Sequence, residues 1–299
     1  MCPQRGRIMD NPQAVALQKI DCPGCGAALD IASGVGRGQA SCRSCGGVID
    51  LASPDYRLIA QMVNEDFQPR SAIRLGLEAR FHGKIFRVIG RMRYHDSAAG
   101  WYWEEWFLVA NDGSILYLEE DGRDFRLLTP FTPREAPDKA SLESSTELFI
   151  DGRPWYVRER GNAVISHFEG QLPWKVKIDT EVTFLDAGNA QGQRLSVEWT
   201  RRELEFYSGE SLSHATVARR FGLSTIFPKG VPRSDDEGED WGETWEGDTP
   251  EFGALGVGVA IVIVILLVFL AFAMDDCNGC VYIGGGGGHY PGGGGGWGK

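Results

Sequence analysis

Short apolar runs separated by turn residues fill the middle of the chain, residues 77–208, and they limit its fold more than any other feature. The turn signals include His82-Gly83 and Asp121-Gly122, and an Asp-Gly pair between two apolar runs is a strong hairpin signal. The runs follow one another without helices between them, which indicates antiparallel sheets or small barrels. We therefore expect a mainly β fold.

This β-rich stretch contains an internal repeat. The first copy includes Phe81-His82-Gly83-Lys84-Ile85-Phe86-Arg87-Val88, and the second includes Phe149-Ile150-Asp151-Gly152-Arg153-Pro154-Trp155-Tyr156-Val157. Both contain an aromatic residue, a glycine followed by a basic residue, a second aromatic residue and a valine. The repeat predicts tandem (duplicated) small antiparallel β-sheet or barrel units, and it is compatible with one merged unit or with two. Within the second copy, residues 175–184 are predicted to form a strand.

Four cysteines precede the β-rich stretch. Cys22 and Cys25 are separated by two residues, as are Cys42 and Cys45, and 16 residues lie between the pairs. This spacing is typical of a four-thiolate zinc site, in which two tight knuckles direct four sulfurs at one ion. Two disulfides would need an oxidising compartment, and a thioredoxin-like pair would need a βαβ unit. We expect a closed, structural Zn²⁺ site in a zinc ribbon.

The charges of the ribbon are mixed. Asp21, Asp30 and Asp50 offset Arg37 and Arg43, and the whole chain carries a net charge of −11. A basic surface is what nucleic-acid binding requires, so no nucleic acid is expected as a partner. We expect the ribbon to dock a protein partner or to cap the β-rich body.

Two short helices are predicted beside the β units. After Ser53 and Pro54, the apolar residues Leu58, Ile59 and Met62 recur at helical spacing. A second helix is expected within residues 211–226, packed on the sheet. It resembles the second helix of a DNA-reading motif, but the helix that should precede it is missing.

Residues 253–274 form an uncharged apolar run with the length needed to span a bilayer, which is about 20 residues. A buried core helix would be shorter and interrupted by polar residues. We expect a transmembrane helix that acts as a single-pass membrane anchor. The acidic linker before it, residues 227–252, should form an extended tether.

The orientation of this anchor follows from the N-terminus, where no apolar segment of a secretory signal is present. The N-terminal body is therefore expected in the cytosol, at the inner (cytoplasmic) membrane, with the Gly-rich tail outside. In that arrangement Cys277 and Cys280 would enter an oxidising space and could form a disulfide, whereas in the cytosol they would remain reduced.

The predicted organisation follows the chain in order. It consists of a leader at 1–19, the zinc ribbon at 20–51, a short helix and linker at 52–70, β copy one at 71–130, a linker at 131–145, β copy two at 146–210, a short helix at 211–226, the acidic linker at 227–252, the transmembrane helix at 253–274 and the Gly-rich tail at 275–299.

One stretch of copy one is unusual, because two acids lie between two tryptophans in Trp103-Glu104-Glu105-Trp106. Adjacent strand residues face opposite sides of a sheet, so the two glutamates cannot form a carboxylate pair. Either glutamate could contact a cation, and the tryptophans could line a ligand site or simply pack in the core. The nearest equivalent in copy two is Val197-Glu198-Trp199. No catalytic constellation is visible in the chain.

Several motifs resemble a bacterial family catalogued as domain of unknown function 4178. They are Phe81-x-Gly83-Lys84-x-Phe86-x-Val88-x-Gly90, Trp103-Glu104-Glu105-Trp106-Phe107-Leu108-Val109, Asp112-Gly113 and Tyr117-Leu118-Glu119-Glu120. The resemblance covers residues 71–209. It implies a zinc ribbon ahead of the domain, a membrane segment behind it, an envelope-stress role and a setting near polyamine-type aminopropyl transfer. It implies no defined activity.

Three hypotheses remain. The first is a membrane-anchored, zinc-ribbon-containing binding or scaffold protein with a protein partner at the membrane. The second is a β-barrel that binds, or acts on, a polyamine-type cation through Glu104 or Glu105. The third is nucleic-acid binding by the ribbon, which predicts an affinity that falls steeply with salt. Glu104 or Glu105 facing a concave, Trp-lined pocket would favour the second hypothesis, whereas that hypothesis fails if both face solvent or the sheet packing.

Overall fold

A closed antiparallel barrel of eight strands lies at the centre of the computed structural model, which describes residues 15–228 apart from 36, 63–67, 97, 123 and 202. These residues belong to the first of two units, Met1–Trp245, and the second unit is Glu246–Lys299. The predicted transmembrane helix, the Gly-rich tail and the Cys277–Cys280 pair lie outside the described residues. Within the described part of the chain, no helix is long and apolar enough to cross a membrane.

The N-terminal ribbon contains five short strands. They are β1 (Leu17–Asp21), β2 (Ala28–Ala32), β3 (Gln39–Ser41), β4 (Gly47–Asp50) and β5 (Leu58–Gln61). The hairpin β1–β2 forms a sheet of its own, whereas β3, β4 and β5 continue the barrel sheet.

The helix predicted around residues 58–62 is wrong, because Leu58–Gln61 is strand β5. It pairs with β4, with Leu58 opposite Ile49 and Ala60 opposite Val48. The unpaired edge of β4 offers hydrogen bonds to the segment that follows it, and this pairing outweighs a weak local helical periodicity.

Each copy of the repeat contributes one short strand and four barrel strands. Copy one contains β6 (Glu78–Phe81), β7 (Lys84–Asp96), β8 (Trp101–Ala110), β9 (Ile115–Asp121) and β10 (Asp124–Phe131). After helix α1 (Lys139–Ser144), copy two contains β11 (Glu147–Ile150), β12 (Arg153–Leu172), β13 (Glu181–Gly188), β14 (Gln193–Trp199) and β15 (Leu204–Leu212). Helix α2 (His214–Phe221) is the last helix or strand in the described residues.

The short hairpins at the start of each copy share the same turn. His82 and Gly83 both have positive φ angles, as do Asp151 and Gly152, so each hairpin turns through two residues of left-handed backbone. This local identity explains why the two copies could be aligned from the sequence.

The two copies close into one barrel rather than forming two separate units, which decides between the two arrangements that the repeat left open. β7 pairs with β12 and β10 pairs with β15, both antiparallel, so each copy supplies half of a common wall. Four strands alone would leave two open edges, and pairing between the copies satisfies both. The strand predicted at residues 175–184 is present only in part, because the observed strand β13 begins at Glu181.

Three apolar clusters pack around this wall. One fills the barrel interior and includes Phe107, Ile165 and Phe184. The other two cover its outer faces, one beneath α2 and one beneath α1. The helix predicted within 211–226 is therefore present and packs on the sheet, through Val217 and Phe221.

Candidate functional site

The four predicted metal ligands come together in the ribbon. The sulfurs of Cys22, Cys25, Cys42 and Cys45 all lie within 4.8 Å of one another. Cys22 Sγ is 3.8 Å from Cys45 Sγ, and Cys25 Sγ is 3.7 Å from Cys42 Sγ. A tetrahedron of thiolates about 2.3 Å from a central zinc has edges of about 3.8 Å. The donor set therefore fits a four-coordinate metal ion.

Both knuckles of this cluster fold in the same way. The amide of Gly26 donates to the carbonyl of Cys22, and the amide of Gly46 donates to the carbonyl of Cys42. Gly26 has a φ of 75° and Gly46 a φ of 74°, conformations that favour glycine. The glycine after each Cys-x-x-Cys pair is thus required by the turn that directs both sulfurs inward.

The four residues of the Trp-Glu-Glu-Trp stretch divide between the two faces of β8. Trp103 belongs to the cluster inside the barrel, and Glu105 points to the same side. Trp106 belongs to the outer cluster beneath α2, and Glu104 shares its face. The structure therefore does not assemble these four residues into one site.

On the outer face, Glu104 is held by two arginines. Arg93 Nε donates to Glu104 Oε1 at 2.8 Å, and Arg91 Nη1 lies 3.5 Å from the same oxygen. Nearby, Glu120 accepts hydrogen bonds from Ser71 Oγ at 2.6 Å and from the indole of Trp106 at 3.0 Å. These contacts fix the segment before β6 onto the barrel wall, which is a structural role.

Inside the barrel, Glu105 meets an acid from copy two. The Tyr94 hydroxyl lies 3.3 Å from Glu105 Oε2 and 3.3 Å from Glu198 Oε2. A phenol carries one hydrogen and can donate it to only one of them, so the other carboxyl completes a hydrogen bond only when it is protonated. Hydrogen bonds between Tyr94 and both carboxyl groups therefore require a proton on at least one carboxyl.

Burial and mutual repulsion make these carboxylates weak acids. Burial, together with the charges of Glu198 and Glu119, raises the pKa of Glu105 well above its usual range. Burial and the nearby Glu205 and Asp186 raise the pKa of Glu198 to about 8. Both acids therefore hold their protons more strongly than an exposed glutamate does.

A pocket of about 280 Å³ opens at the end of the barrel beside these acids. Glu198, Glu203 and Glu205 contribute its carboxylates. Its aromatic lining residues are Tyr94, Trp174 and Trp199, and Lys175 and Lys177 are its cations. Lys175 is engaged by Asp50 of the ribbon, with Nζ 2.7 Å from Oδ2. The pocket is therefore concave, aromatic and acidic on balance, and we call it the barrel mouth.

A second group of interior acids surrounds one arginine. Arg126 Nη2 lies 2.9 Å from Glu119 Oε1 and 3.5 Å from Asp121 Oδ2, and Arg126 Nη1 donates to Asp186. The guanidinium is thereby shared among three carboxylates. This network adjoins the first group of acids, because Glu119 lies opposite Glu105 on the neighbouring strand.

The sequence did not reveal that Glu198 would join Glu105. The two lie 93 positions apart, and the repeat aligned Val197-Glu198-Trp199 with the stretch in β8. In the fold, however, β14 occupies the place in copy two that β9 occupies in copy one. The signal that could have found the pair was an acid directly before a tryptophan in each copy, Glu105-Trp106 and Glu198-Trp199.

Residues 74–214 match the family model described as Domain of unknown function (DUF4178). The match runs from just before β6 to the start of α2, so it covers the entire barrel and leaves the ribbon outside. Comparison with curated proteins and with solved structures yields no match. The resemblance inferred from the aromatic and glycine motifs is confirmed for this stretch.

Proposed function

We propose that this protein, whose barrel matches DUF4178, binds a small organic cation of the polyamine type at the barrel mouth. The observation that carries the proposal is a pocket of about 280 Å³ lined by Tyr94 and Glu198, whose Oη and Oε2 lie 3.3 Å apart. Neither Glu104 nor Glu105 lines this pocket, so the site differs from the one expected from the sequence, and Glu105 adjoins it only through the Tyr94 hydroxyl. A primary ammonium group offers three hydrogen bonds and a positive charge, which these crowded carboxylates can accept.

The aromatic lining supports the same class of ligand. Trp174 and Trp199 are among the residues that line the pocket, and the faces of aromatic rings attract cations. The volume is at the lower end of the range found for small-molecule sites, which suits a slender ligand. An alkyl chain between ammonium groups would contact the rings while its ends meet carboxylates.

The metal of the ribbon is proposed to be zinc. Four thiolates without a carboxylate or an open position favour zinc in a structural role. When bound, the ion would hold the two knuckles together, and the cysteines of this chain would be its ligands.

The apolar run at 253–274 supports a location at a membrane. We propose that this run anchors the chain, that the acidic linker acts as a tether, and that the barrel lies on the cytosolic side. We also propose a role in envelope stress, in which the barrel mouth would sense small cations. Deletion of residues 253–299 should move the protein from the membrane fraction to the soluble fraction.

The test is equilibrium binding of spermidine to the full-length, zinc-loaded protein in detergent micelles at physiological salt. We expect saturable micromolar binding that weakens at least about tenfold in Glu198→Gln, which removes one charge-assisted contact. Glu210→Gln is the matched control, because Glu210 lies on neighbouring β15 and is exposed outside the pocket.

If wild type and Glu210→Gln fail to bind spermidine, putrescine and related diamines, the cation-binding proposal is wrong. The scaffold hypothesis would then stand, and the partner would be sought through the ribbon. Binding of nucleic acid whose affinity falls steeply with salt would instead favour the third hypothesis.

A further inference from the structure

The segment between β12 and β13, residues 173–180, forms one side of the barrel mouth, and we call it the mouth loop. Trp174, Val176 and Lys177 of this loop line the pocket. Trp174 also reaches into the barrel, where its ring lies 5.3 Å from that of Phe107 and 6.1 Å from that of Tyr117. The position of this loop therefore sets the shape of the pocket.

The ribbon holds the mouth loop by its backbone. Gln39 Nε2 donates to the carbonyl of Val176 at 3.1 Å, and the amide of Val176 donates to Gln39 Oε1 at 3.3 Å. Gln39 is fully buried, so these bonds are shielded from water. One ribbon side chain thus satisfies both backbone groups of a residue that lines the pocket.

Two further contacts join the same elements. Lys175 Nζ lies 2.7 Å from Asp50 Oδ2, and Asp50 is the cross-strand neighbour of Gln39 in the hairpin β3–β4. Gly38 passes so close to the loop that a Cβ there would collide with the backbone of Leu172 and Trp174. The close approach requires glycine at this position.

The metal site lies at the other end of this hairpin. β3 ends at Ser41, directly before Cys42, and β4 begins at Gly47, two residues after Cys45. Strands of three and four residues do not form a stable hairpin by themselves. Pairing of β3 with β12 supports one side of this hairpin, and the knuckle with a bound metal would constrain its far end. A continuous path therefore runs from the metal site through β3–β4 to the mouth loop.

We infer that the metal-bound ribbon positions the mouth loop through Gln39 and Asp50, so that metal binding in the ribbon promotes cation binding in the barrel. Only the second part of the inference, that metal binding promotes cation binding, rests on the proposed cation site. Its first half, the dependence of loop order on the ribbon, can be tested without any ligand. Gln39 acts here as a positioning residue, since it does not line the pocket.

The chain offers a matched control. Gln171 of β12 makes an equivalent pair of bonds, from a barrel side chain to the ribbon backbone. Its Nε2 donates to the carbonyl of Ala32 at 3.2 Å, and the amide of Ala32 donates to its Oε1 at 2.7 Å. It is also buried. Gln171→Leu therefore breaks an equivalent contact between ribbon and barrel that does not involve the mouth loop.

The experiment is amide hydrogen exchange on the full-length, zinc-loaded protein, followed by titration with spermidine. In Gln39→Leu we expect one zinc per chain, exchange of the Val176 amide faster by roughly tenfold, and a similar loss of spermidine affinity. In Gln171→Leu the mouth loop and the affinity should match wild type, while exchange at Ala32 increases. Removal of zinc by a chelator should increase exchange across residues 174–180.

Unchanged exchange of the mouth loop in Gln39→Leu, or equal changes in both variants, would overturn the inference. So would a metal-free protein whose mouth loop remains protected. If wild type does not bind spermidine, the proposed function fails, and the exchange measurements still decide whether the ribbon positions the loop.

Discussion

Glu104 and Glu105 are adjacent in the sequence, yet their carboxyl groups lie on opposite faces of the barrel wall. Glu104 accepts a hydrogen bond from Arg93 at 2.8 Å on the outside, and Glu105 lies 3.3 Å from the Tyr94 hydroxyl on the inside. The alternation of side chains along a strand enforces this separation. The barrel wall thus separates Glu104, which is paired with arginines, from Glu105, whose neighbours are acids.

Neutralising these two glutamates should therefore have opposite effects on stability at pH 8. Glu104→Gln removes the buried carboxylate that Arg93 and Arg91 share, while Arg91 keeps Glu169 at 3.1 Å, and it should lower the free energy of unfolding by about 2–4 kcal/mol. Glu105→Gln removes a group whose burial disfavours its charge, and it should leave stability unchanged or slightly increased. Denaturant unfolding of both variants at pH 8 measures the difference. Equal losses in both would contradict the assignment of faces.

Stability should fall as the pH rises from about 4.5 to about 8. Burial raises the pKa of Glu198 to about 8, above its value in the unfolded chain. Over this window the folded protein retains a proton that the unfolded chain has lost, so the free energy of unfolding decreases with pH. Glu198→Gln should remove part of this dependence, on the order of 2 kcal/mol at pH 8. A pH profile identical to that of wild type would show that Glu198 is not protonated in the fold.

Arg126 should be essential for the barrel interior. Arg126→Met would leave Glu119, Asp121 and Asp186 without their shared cation and should cost about 3–5 kcal/mol at pH 8. The loss should shrink at pH 5, because burial raises the pKa of Glu119 and of Asp121, and protonation of these two acids removes repulsion. Lys139→Met is the control, since its pair with Glu143 on α1 is exposed and should contribute less than about 0.5 kcal/mol. Comparable losses for both variants would argue against the interior network.

The ribbon should contain one zinc per chain. Cys42→Ser removes a thiolate from the cluster and should abolish stoichiometric zinc, as measured by elemental analysis of the purified protein. Ser44→Ala changes the same knuckle without removing a ligand and should retain the metal. Retention of one zinc by Cys42→Ser would mean that the four sulfurs do not form the site.

The elements that could be predicted from the sequence are those specified by local chemistry. The glycine after each Cys-x-x-Cys pair, and the two-residue turns at His82 and Asp151, follow from residue types within a few positions. The apolar runs on either side of the His82-Gly83 turn form strands β6 and β7 for the same reason. Family resemblance carried by Phe81 and Trp103 then identified the barrel domain.

Features that depend on long-range pairing could not be predicted in this way. Tyr94 and Glu198 lie 104 positions apart and meet only because β12 joins the two copies and closes the barrel. Leu58 reads as helical by periodicity, but the edge of β4 makes its segment a strand. The mouth loop is a further example: the local pattern predicts a strand from residue 175, whereas Gln39 of the ribbon holds this segment as a loop.

The most direct test of the central account is proton release when spermidine binds at pH 7.5, measured by calorimetry in phosphate and in Tris buffer. Because burial raises the pKa of Glu198 to about 8, a bound cation should displace the proton of this carboxyl and release about 0.5–1 proton per ligand. Glu198→Gln should abolish most of that release. Binding with no proton exchange in the wild-type protein would contradict an acidic mouth that alternates between protons and a cation.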